Sequence, residues 1–216
     1  MEERNITVTL AKAREWYKGK NETLKELALQ AFDIGVLVCD FRDITTFKGA
    51  CKMLALNYDS VYYGIEDIEG ISKASAAMFK LNIIRKALNL GQDLHLTKDP
   101  EDSYIYYPHN PFVTKDPTYY NREVNSGKME VIGKIKSGGE EYDVLGGGCA
   151  INGSLIGLGN FHFSHGVGYA YADVGFLGCA NKEIAQHFGK YFGMLITEAK
   201  YGDMVDFEII DNKYKN

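Results

Sequence analysis

The chain is short of the residues and runs that mark several classes of protein. It has one tryptophan and four prolines among 216 residues, and no two of its four cysteines form a Cys-x-x-Cys pair. No apolar run approaches the ~18 residues of a membrane-spanning helix, and the opening MEERNITVTL lacks the apolar region of a signal peptide. These absences argue against a zinc site, a disulfide framework and a membrane protein. We expect reduced cysteines in a cytoplasm, packed as small apolar residues.

The chain also lacks an excess of basic charge. Its 24 basic and 29 acidic residues give a net charge of −5, and the acidic excess falls in residues 101–216, whereas residues 1–100 are balanced. Proteins that bind long nucleic acids usually present a basic stripe. A polynucleotide is therefore not expected as a partner, and a small ligand or another protein remains.

What is present is the composition of an ordinary globular protein. Hydrophobic residues make up 45% of the chain and charged residues 25%, which is close to the average for soluble domains. The chain can therefore bury a sizeable core, and disorder, collagen and coiled coil are excluded as its main state. Its length suits one large domain or two small ones.

The N-terminal part has the periodicity of helices. Apolar residues spaced by three, four or seven predict helices over 10–18, over a segment that begins near Thr23, over 47–55 and over about 72–89. Thr23 and Glu26 have the spacing of a capping box. Gly91 is the expected stop of the last of these helices, whose buried seam is predicted to be Ala77, Leu81, Ile84 and Leu88.

The character of the chain changes at residue 99. All four prolines lie within residues 100–117, and 17 of the 23 glycines and 11 of the 15 tyrosines follow residue 98. Because proline lacks a backbone donor and restricts the residue before it, we expect residues 99–125 to be irregular and extended. This Pro/Tyr-rich segment is predicted to connect a helical region, 1–98, to a β-rich region, 126–216, and the two regions can still form one continuous domain.

The β-rich region combines alternating strands with one strong helix. Alternation predicts a hairpin over 128–145 that turns at 137–140, and a further strand over 169–177. Asn181 is expected to cap a helix over 181–200, on which Phe188 and Leu195 face the sheet. Phe207, Ile209 and Ile210 are expected to form a closing strand. The predicted fold is α+β, with an N-terminal helical half and a C-terminal antiparallel sheet backed by a long helix.

Familiar catalytic and metal-binding motifs are missing or incomplete. Residues 146–148 are three glycines, but no Lys-Ser/Thr follows as in a phosphate loop, which favours a turn with a positive φ angle. His162 and His165 lack an evident third metal ligand, although His187 can reach them from the last helix. No Gly-x-Ser-x-Gly elbow is present. We therefore predict no catalytic residue, no metal and no cofactor.

The Pro/Tyr-rich segment holds the strongest candidate for a binding site. Tyrosine offers a flat ring for stacking, and arginine offers a fork that suits phosphate. The candidate ligand-binding residues are Tyr104, Tyr106, Tyr107, His109, Tyr119, Tyr120 and Arg122. Together they predict a site for a small nucleotide-like ligand. Two alternatives remain open, namely that these rings cover the core of the protein or that they form a protein interface.

Two short segments resemble uncharacterised proteins of phages and prophages of gut Bacteroidales bacteria. They are the segment VGFLGC at 174–179 with EIAQHFGK at 183–190, and AREWY at 13–17 with LKELA at 24–28. The resemblance covers a small part of the chain and brings no assigned catalytic residue. It implies a phage-encoded protein in the cytoplasm of a bacterial host, or a component of the virion.

The combined expectation is a non-enzymatic phage accessory protein that binds a small nucleotide-like ligand. The ligand is then expected to be a host immune signal that the phage sequesters against host defence. The first alternative is a virion protein or another structural or interaction protein of a phage. The second is an enzyme of unknown chemistry, and an oligomer remains open in each case.

Overall fold

The computed structural model describes most of the chain. The described residues are 8–90, 105–110, 112–113, 118, 120–152 and 177–215. Of residues 105, 109, 113, 120–121 and 149–152 it describes the backbone alone. The predicted strand over 169–177 falls almost entirely outside these ranges, and so does the expected stop at Gly91. No helix among the described residues is long and apolar enough to cross a membrane.

Six helices and one short 3-10 turn are described within residues 8–90. They are α1 (Leu10–Lys18), α2 (Glu22–Ala31), α3 (Ile34–Val38), the 3-10 turn Phe41–Asp43, α4 (Phe47–Met53), α5 (Tyr58–Glu69) and α6 (Lys73–Leu88). Each helix begins after a polar residue whose side chain accepts a hydrogen bond from an amide of the first turn, as Thr46 does for Gly49 and Ser72 for Ser75. The predicted helices over 10–18, 47–55 and 72–89 are confirmed, and α3 and α5 are additional.

The predicted cap of the second helix is wrong. Asn21, not Thr23, caps α2, and its side chain accepts the amide of Leu24 at 3.2 Å. Asparagine is as good a cap as threonine or better, and it lies directly after the break at residues 19–20. The helix therefore starts two residues earlier, which places Thr23 inside its first turn.

A buried arginine fastens α1 to the rest of the helical region. Arg14 is 5% exposed, and its partners are backbone carbonyls and a thioether. Its Nε donates to the carbonyl of Val36 at 3.0 Å, and its guanidinium also contacts the carbonyl of Leu90 and the sulfur of Met53. Burial lowers the pKa of Arg14. One side chain thus joins α1 to α3, α4 and the end of α6.

Among the residues that the structure describes, six strands form two antiparallel sheets. The strands are β1 (Ile105–His109), β2 (Phe112–Val113), β3 (Glu130–Ser137), β4 (Glu140–Gly146), β5 (Gly148–Asn152) and β6 (Glu208–Asn212). The larger sheet has the order β2-β4-β3-β6, and β1 pairs with β5 separately. The predicted hairpin and closing strand are confirmed. Gly147, at a φ of 91°, links β4 to β5 as the turn that the glycine run predicts.

The Pro/Tyr-rich segment is more regular than predicted. Residues 105–109 form β1, which runs antiparallel to β5 with Pro108 opposite Cys149. The backbone of Tyr106 also exchanges two hydrogen bonds with Cys179, at 3.2 and 2.8 Å. Residues 120–124 form a single π-helical turn. Proline is tolerated at a strand position where its missing backbone donor is not needed. The strand β1 therefore forms despite Pro108, with β5 on one side and Cys179 on the other.

The long helix α7 (Lys182–Tyr201) lies between the helices and the larger sheet. Asn181 caps it as predicted, by accepting the amide of Ile184 at 2.9 Å. Phe188 and Leu195 are buried in a core cluster with residues of α4, α5 and α6, whereas Met194 packs against Ile132, Ile135 and Val144 of the sheet. The expectation that Phe188 and Leu195 face the sheet is therefore wrong, because α7 is buried on both sides. The α+β fold class is confirmed, and the described parts of the N- and C-terminal regions share this core.

Two glycines of α7 allow the sheet to approach it closely. A Cβ atom at Gly193 would lie 2.4 Å from Nδ2 of Asn110 and 2.4 Å from Cδ1 of Ile132. A Cβ at Gly189 would meet Asn110 and the backbone of Gly148 at ordinary or slightly short distances. Nδ2 of Asn110 donates to the carbonyls of Leu145 at 2.9 Å and Gly189 at 2.7 Å. One amide thus joins β4 to α7 in the space that the glycines leave.

We predict that Gly193→Ala destabilises the protein by about 1–3 kcal/mol, the usual cost of overpacking a core. The new methyl group would displace Asn110 or Ile132, and both are held by their neighbours. Gly64→Ala is the matched control, because a Cβ on this exposed glycine of α5 meets nothing within 4 Å. It should stabilise by about 0.5–1 kcal/mol through helix propensity. Urea unfolding of the two variants measures both effects, and a neutral Gly193→Ala would contradict the packing described.

Ion pairs and hydrogen bonds around Glu130 link the C-terminal segment to α7 and β3. Glu130 Oε2 accepts from Lys213 at 2.8 Å, and its Oε1 accepts from Lys190 at 3.0 Å and from the Tyr214 hydroxyl at 2.6 Å. Partial burial opposes ionisation of Glu130, but these three hydrogen bonds outweigh it and hold its pKa at about 2. The ring of Tyr214 also packs on Tyr191, with 4.8 Å between the ring centroids.

We predict that Glu130→Gln destabilises the protein at neutral pH by about 1 kcal/mol, a value reduced for partial solvent exposure. A carboxylate with a lowered pKa stabilises the fold above its unfolded-state pKa, and that contribution is lost as the pH falls toward about 2. The difference between wild type and variant should therefore shrink on acidification. Unfolding curves at several acidic pH values test this, and a constant difference would contradict it.

Candidate functional site

Two of the predicted binding residues take part in packing. Tyr107 is 7% exposed and belongs to the core cluster that α7 shares with the helices. Tyr106, its neighbour on β1, is partly buried against the same cluster. A ring enclosed by core residues has no free face on which a ligand can stack. At Tyr107 the structure therefore agrees with the alternative that these rings cover the core.

The remaining predicted residues are described in part. Nε of Arg122 lies 2.6 Å from Oε1 of Glu123, whose side chain is 4% exposed, so a buried carboxylate already pairs with this guanidinium. Of His109 and Tyr120 the backbone is described. Tyr104, Tyr119, His162 and His165 lie outside the described residues. Within the described ranges, no group of three or more His, Cys, Asp or Glu side chains is arranged to hold a metal ion.

A cleft opens where α4, α5, α6, α7 and β6 meet, and we call it the α5–α7 cleft. Its volume is about 160 Å³. It is lined by Thr46, Phe47, Lys48, Tyr58, Tyr62, Lys80, Met194, Leu195, Glu198, Ile209 and Asn212. The lining combines an apolar floor, two tyrosine rings, two lysines and one carboxylate. Polar and aromatic groups that converge on an apolar floor can bind a small molecule.

The aromatic wall of the cleft comes from the first turns of α5. Asn57 starts this helix by accepting the amide of Ser60, so that Tyr58 and Tyr62, four residues apart, lie on one face. Their ring centroids are 5.5 Å apart with 30° between the planes. Tyr58 leans on Phe47 of α4 at 6.0 Å, and Tyr62 is 37% exposed. Tyr62 therefore presents a supported ring to solvent at the edge of the cleft.

Two lysines approach this wall from different helices. Nζ of Lys48, on α4, lies 5.4 Å from the centroid of the Tyr58 ring, within the range of a cation–π contact. Nζ of Lys80, on α6, lies 3.5 Å from a carboxylate oxygen of Glu69, and its side chain is 20% exposed. No described carboxylate forms a salt bridge with Lys48. The ammonium group of Lys48 is thus placed to meet an anion beside the aromatic wall.

Glu198 supplies the one carboxylate of the cleft lining. This residue of α7 is partly buried, and no described donor hydrogen-bonds its side chain. Burial raises the pKa of Glu198, while the charge of Lys80 opposes that shift, the charge of Glu69 adds to it and the charge of Lys73 opposes it. Partial burial therefore makes the ionised form of Glu198 less favourable than it is in water.

Sequence reasoning missed this site for an identifiable reason. The tyrosines of residues 99–125 attracted the prediction by their number, yet Tyr58, Tyr62 and Tyr63 also lie within six residues of each other. Asn57 before them is a helix-cap signal, and the spacing of Tyr58 and Tyr62 predicts one helical face. That local signal was available. The approach of Lys80, Glu198 and Asn212 was not, because it depends on tertiary packing.

No family model, curated protein or solved structure matches this chain. Its function therefore has to be argued from the chemistry of its own residues.

We predict that Glu198→Gln changes how stability depends on pH. A carboxyl group with a raised pKa binds more protons in the folded than in the unfolded state, so stability falls as the pH rises from its unfolded-state pKa through its folded-state pKa. Because the glutamine cannot titrate, the variant should lack this decline in stability. Its free energy of unfolding should therefore increase relative to that of the wild type as the pH rises from about 4 to 7. Parallel stability curves for the two proteins would contradict the environment described for Glu198.

Proposed function

We propose that this protein binds a small nucleotide-like ligand in the α5–α7 cleft and releases it unchanged. The observation that supports this most strongly is the combination of an exposed ring at Tyr62, which packs on Tyr58, with the ammonium group of Lys48 over the ring of Tyr58. A nucleotide has a flat base and an anionic phosphate, which are the groups that such a pair recognises. The proposal keeps the class of ligand expected from the sequence and moves its site.

Three kinds of interaction are available to a nucleotide in this cleft. Stacking on an aromatic side chain contributes about 1–3 kcal/mol per base, and a charge-assisted hydrogen bond contributes about 1.5–3 kcal/mol. Apolar contact with Phe47, Leu195 and Ile209, which line the cleft, adds to these. The loss of ligand freedom on binding offsets part of this gain.

We further propose that the protein is phage-encoded and acts in the cytoplasm of a bacterial host. The support for this is the resemblance of residues 13–17, 24–28, 174–179 and 183–190 to uncharacterised phage proteins. A binding protein without a catalytic group lowers the free concentration of its ligand by mass action. In an infected cell such a protein would hold a host immune signal away from its receptor.

Calorimetry with nucleoside monophosphates, cyclic dinucleotides and ADP-ribose tests the proposed function. At least one of these ligands should bind, and Tyr62→Ala should weaken that binding about 5- to 150-fold, the equivalent of one lost stack. Tyr63→Ala is the matched control, because this neighbour on α5 is 69% exposed and does not line the cleft. It should leave the affinity unchanged.

Arg122→Ala distinguishes the cleft from the Pro/Tyr-rich segment. Binding that survives Arg122→Ala and is lost in Tyr62→Ala supports the cleft, whereas the opposite result places the ligand on the segment predicted from the sequence. Chromatography of the ligand after denaturation of the complex should return it intact. A product in its place would favour an enzyme.

An interaction protein of a phage is the second candidate, and one surface feature favours it. Ile71 is 89% exposed and Val205 is 100% exposed, on two neighbouring turns. The turns are joined by Asp203, which accepts from the Ser72 hydroxyl at 2.5 Å and from the amide of Ala74 at 3.2 Å. Exposed apolar side chains on held turns suit contact with another protein. Absence of heat with every nucleotide, together with co-purification with phage particles, would favour this candidate.

A further inference from the structure

Two neighbouring turns carry the most exposed of the large apolar side chains that the structure describes. Ile71 lies between α5 and α6, and Val205 lies between α7 and β6, next to Met204, which is 59% exposed. We call these three residues the turn patch. One exposed apolar residue needs no explanation, but several on turns that touch each other are a feature of interaction surfaces.

Hydrogen bonds hold the two turns in fixed positions. The Asp203 carboxylate accepts the Ser72 hydroxyl and the amide of Ala74, and these bonds lower the pKa of Asp203, so it stays ionised at neutral pH. Within the first turn, the amide of Ile71 donates to the carbonyl of Ile68 at 2.9 Å. The apolar side chains therefore extend from a backbone that is already held, and a partner that binds them loses little affinity to ordering of the turns.

The acidic excess of the chain is concentrated around the turn patch. Residues 64–75 and 199–208 contain six carboxylates and two lysines, a net charge of −4 in a chain whose total is −5. All six carboxylates are exposed, and Glu69 also pairs with Lys80 at 3.5 Å. We call them the acidic rim, and they are Glu66, Asp67, Glu69, Asp203, Asp206 and Glu208.

Half of the acidic rim lies where a helix end disfavours negative charge. Glu66, Asp67 and Glu69 lie in the last turn of α5, which contains no basic residue. The free carbonyls at the C-terminal end of a helix carry partial negative charge, so carboxylates there reduce the stability of the helix. A departure of this kind from the locally favoured residue is expected where a surface serves binding.

We propose that the turn patch and the acidic rim form a docking site for a protein segment whose apolar side chains are flanked by lysines or arginines. The apolar side chains of that segment pack on Ile71 and Val205, and its cations face the rim. This inference goes beyond the proposed function and does not require it, because neither Ile71 nor Val205 lines the α5–α7 cleft.

The sign of the rim argues against other occupants of this site. A second copy of the chain, related by a two-fold axis, would bring the same patch and the same acidic rim against each other. Nucleic acids and the anionic cytoplasmic face of a membrane carry the same sign of charge as the rim. A basic, apolar protein segment satisfies both the patch and the rim.

Selection from a displayed library of random peptides, with the wild-type protein as the target, tests this inference. The enriched peptides should combine lysine or arginine with large apolar residues. Their affinity should fall as the salt concentration rises from about 0.1 to 1 M, because the screening length shortens from about 10 to about 3 Å. No enrichment, or enrichment of acidic or uncharged peptides, would overturn the inference.

Val205→Ser and Asp206→Lys then locate the binding of a selected peptide. Val205→Ser should weaken it about 10-fold or more, as expected for an apolar residue at the centre of an interface. Asp206→Lys should weaken it at low salt and have little effect at about 1 M salt. Ile34→Ser is the matched control, because this residue of α3 is 53% exposed and lies on neither turn, and it should leave the affinity unchanged.

A peptide affinity that is the same in wild type, Val205→Ser and Asp206→Lys would overturn the docking site. The exposure of both side chains leads us to expect folded variants, which thermal melts check. Calorimetry of the same variants with nucleotides reports on the cleft alone. The docking site and the proposed function can therefore fail independently.

Discussion

The close packing of α7 against the sheet is the constraint on which the rest of the structure depends. A helix that is buried on both sides needs one face on which a sheet can pack closely. Gly189 and Gly193 form that face, because a side chain at either position would collide with Asn110 or Ile132 or press against them. The Asn110 amide then satisfies two carbonyls that this contact removes from water. The opposite face is left for large residues such as Phe188, which pack with the N-terminal helices.

The same arrangement creates the cleft. Near its C-terminal end α7 lies between β6 and the helices α4 and α5, and these elements approach α7 without closing on each other. Leu195 and Glu198, three residues apart on one face, form the floor and one polar side of the gap. Tyr58 and Tyr62 close the other side because a cap at Asn57 fixes where α5 begins. The site is thus a consequence of the layering and not of a dedicated loop.

The parts of the fold that could be predicted from the sequence are those with a local cause. The helix over residues 182–201 and the hairpin at 130–146 follow from periodicity, a polar cap and glycines that tolerate positive φ. Strand β1 could not be predicted, because its partner β5 lies about forty residues away and Pro108 argues against a strand locally.

The sequence also could not indicate which face of α7 packs against the larger sheet. Phe188 and Met194 are equally apolar, and which one meets the sheet depends on the glycines beside them. The candidate site combines residues of five elements, and the sequence analysis did not predict it. Residue spacing could have indicated its two tyrosines, but its lysines and its carboxylate come together only through tertiary packing.

Glu198 is the residue at which stability and the proposed function oppose each other. Partial burial of a carboxylate costs free energy, and it raises the pKa of Glu198. The floor around it is apolar, with Met194, Leu195 and Ile209 as neighbours in the lining, so a leucine or methionine there would fill the cleft at lower cost. Departures of this kind from the most stable choice are expected where a site must remain open. A ligand group that donates a hydrogen bond to Glu198 would favour its ionised form, so binding of such a ligand and the protonation of Glu198 oppose each other.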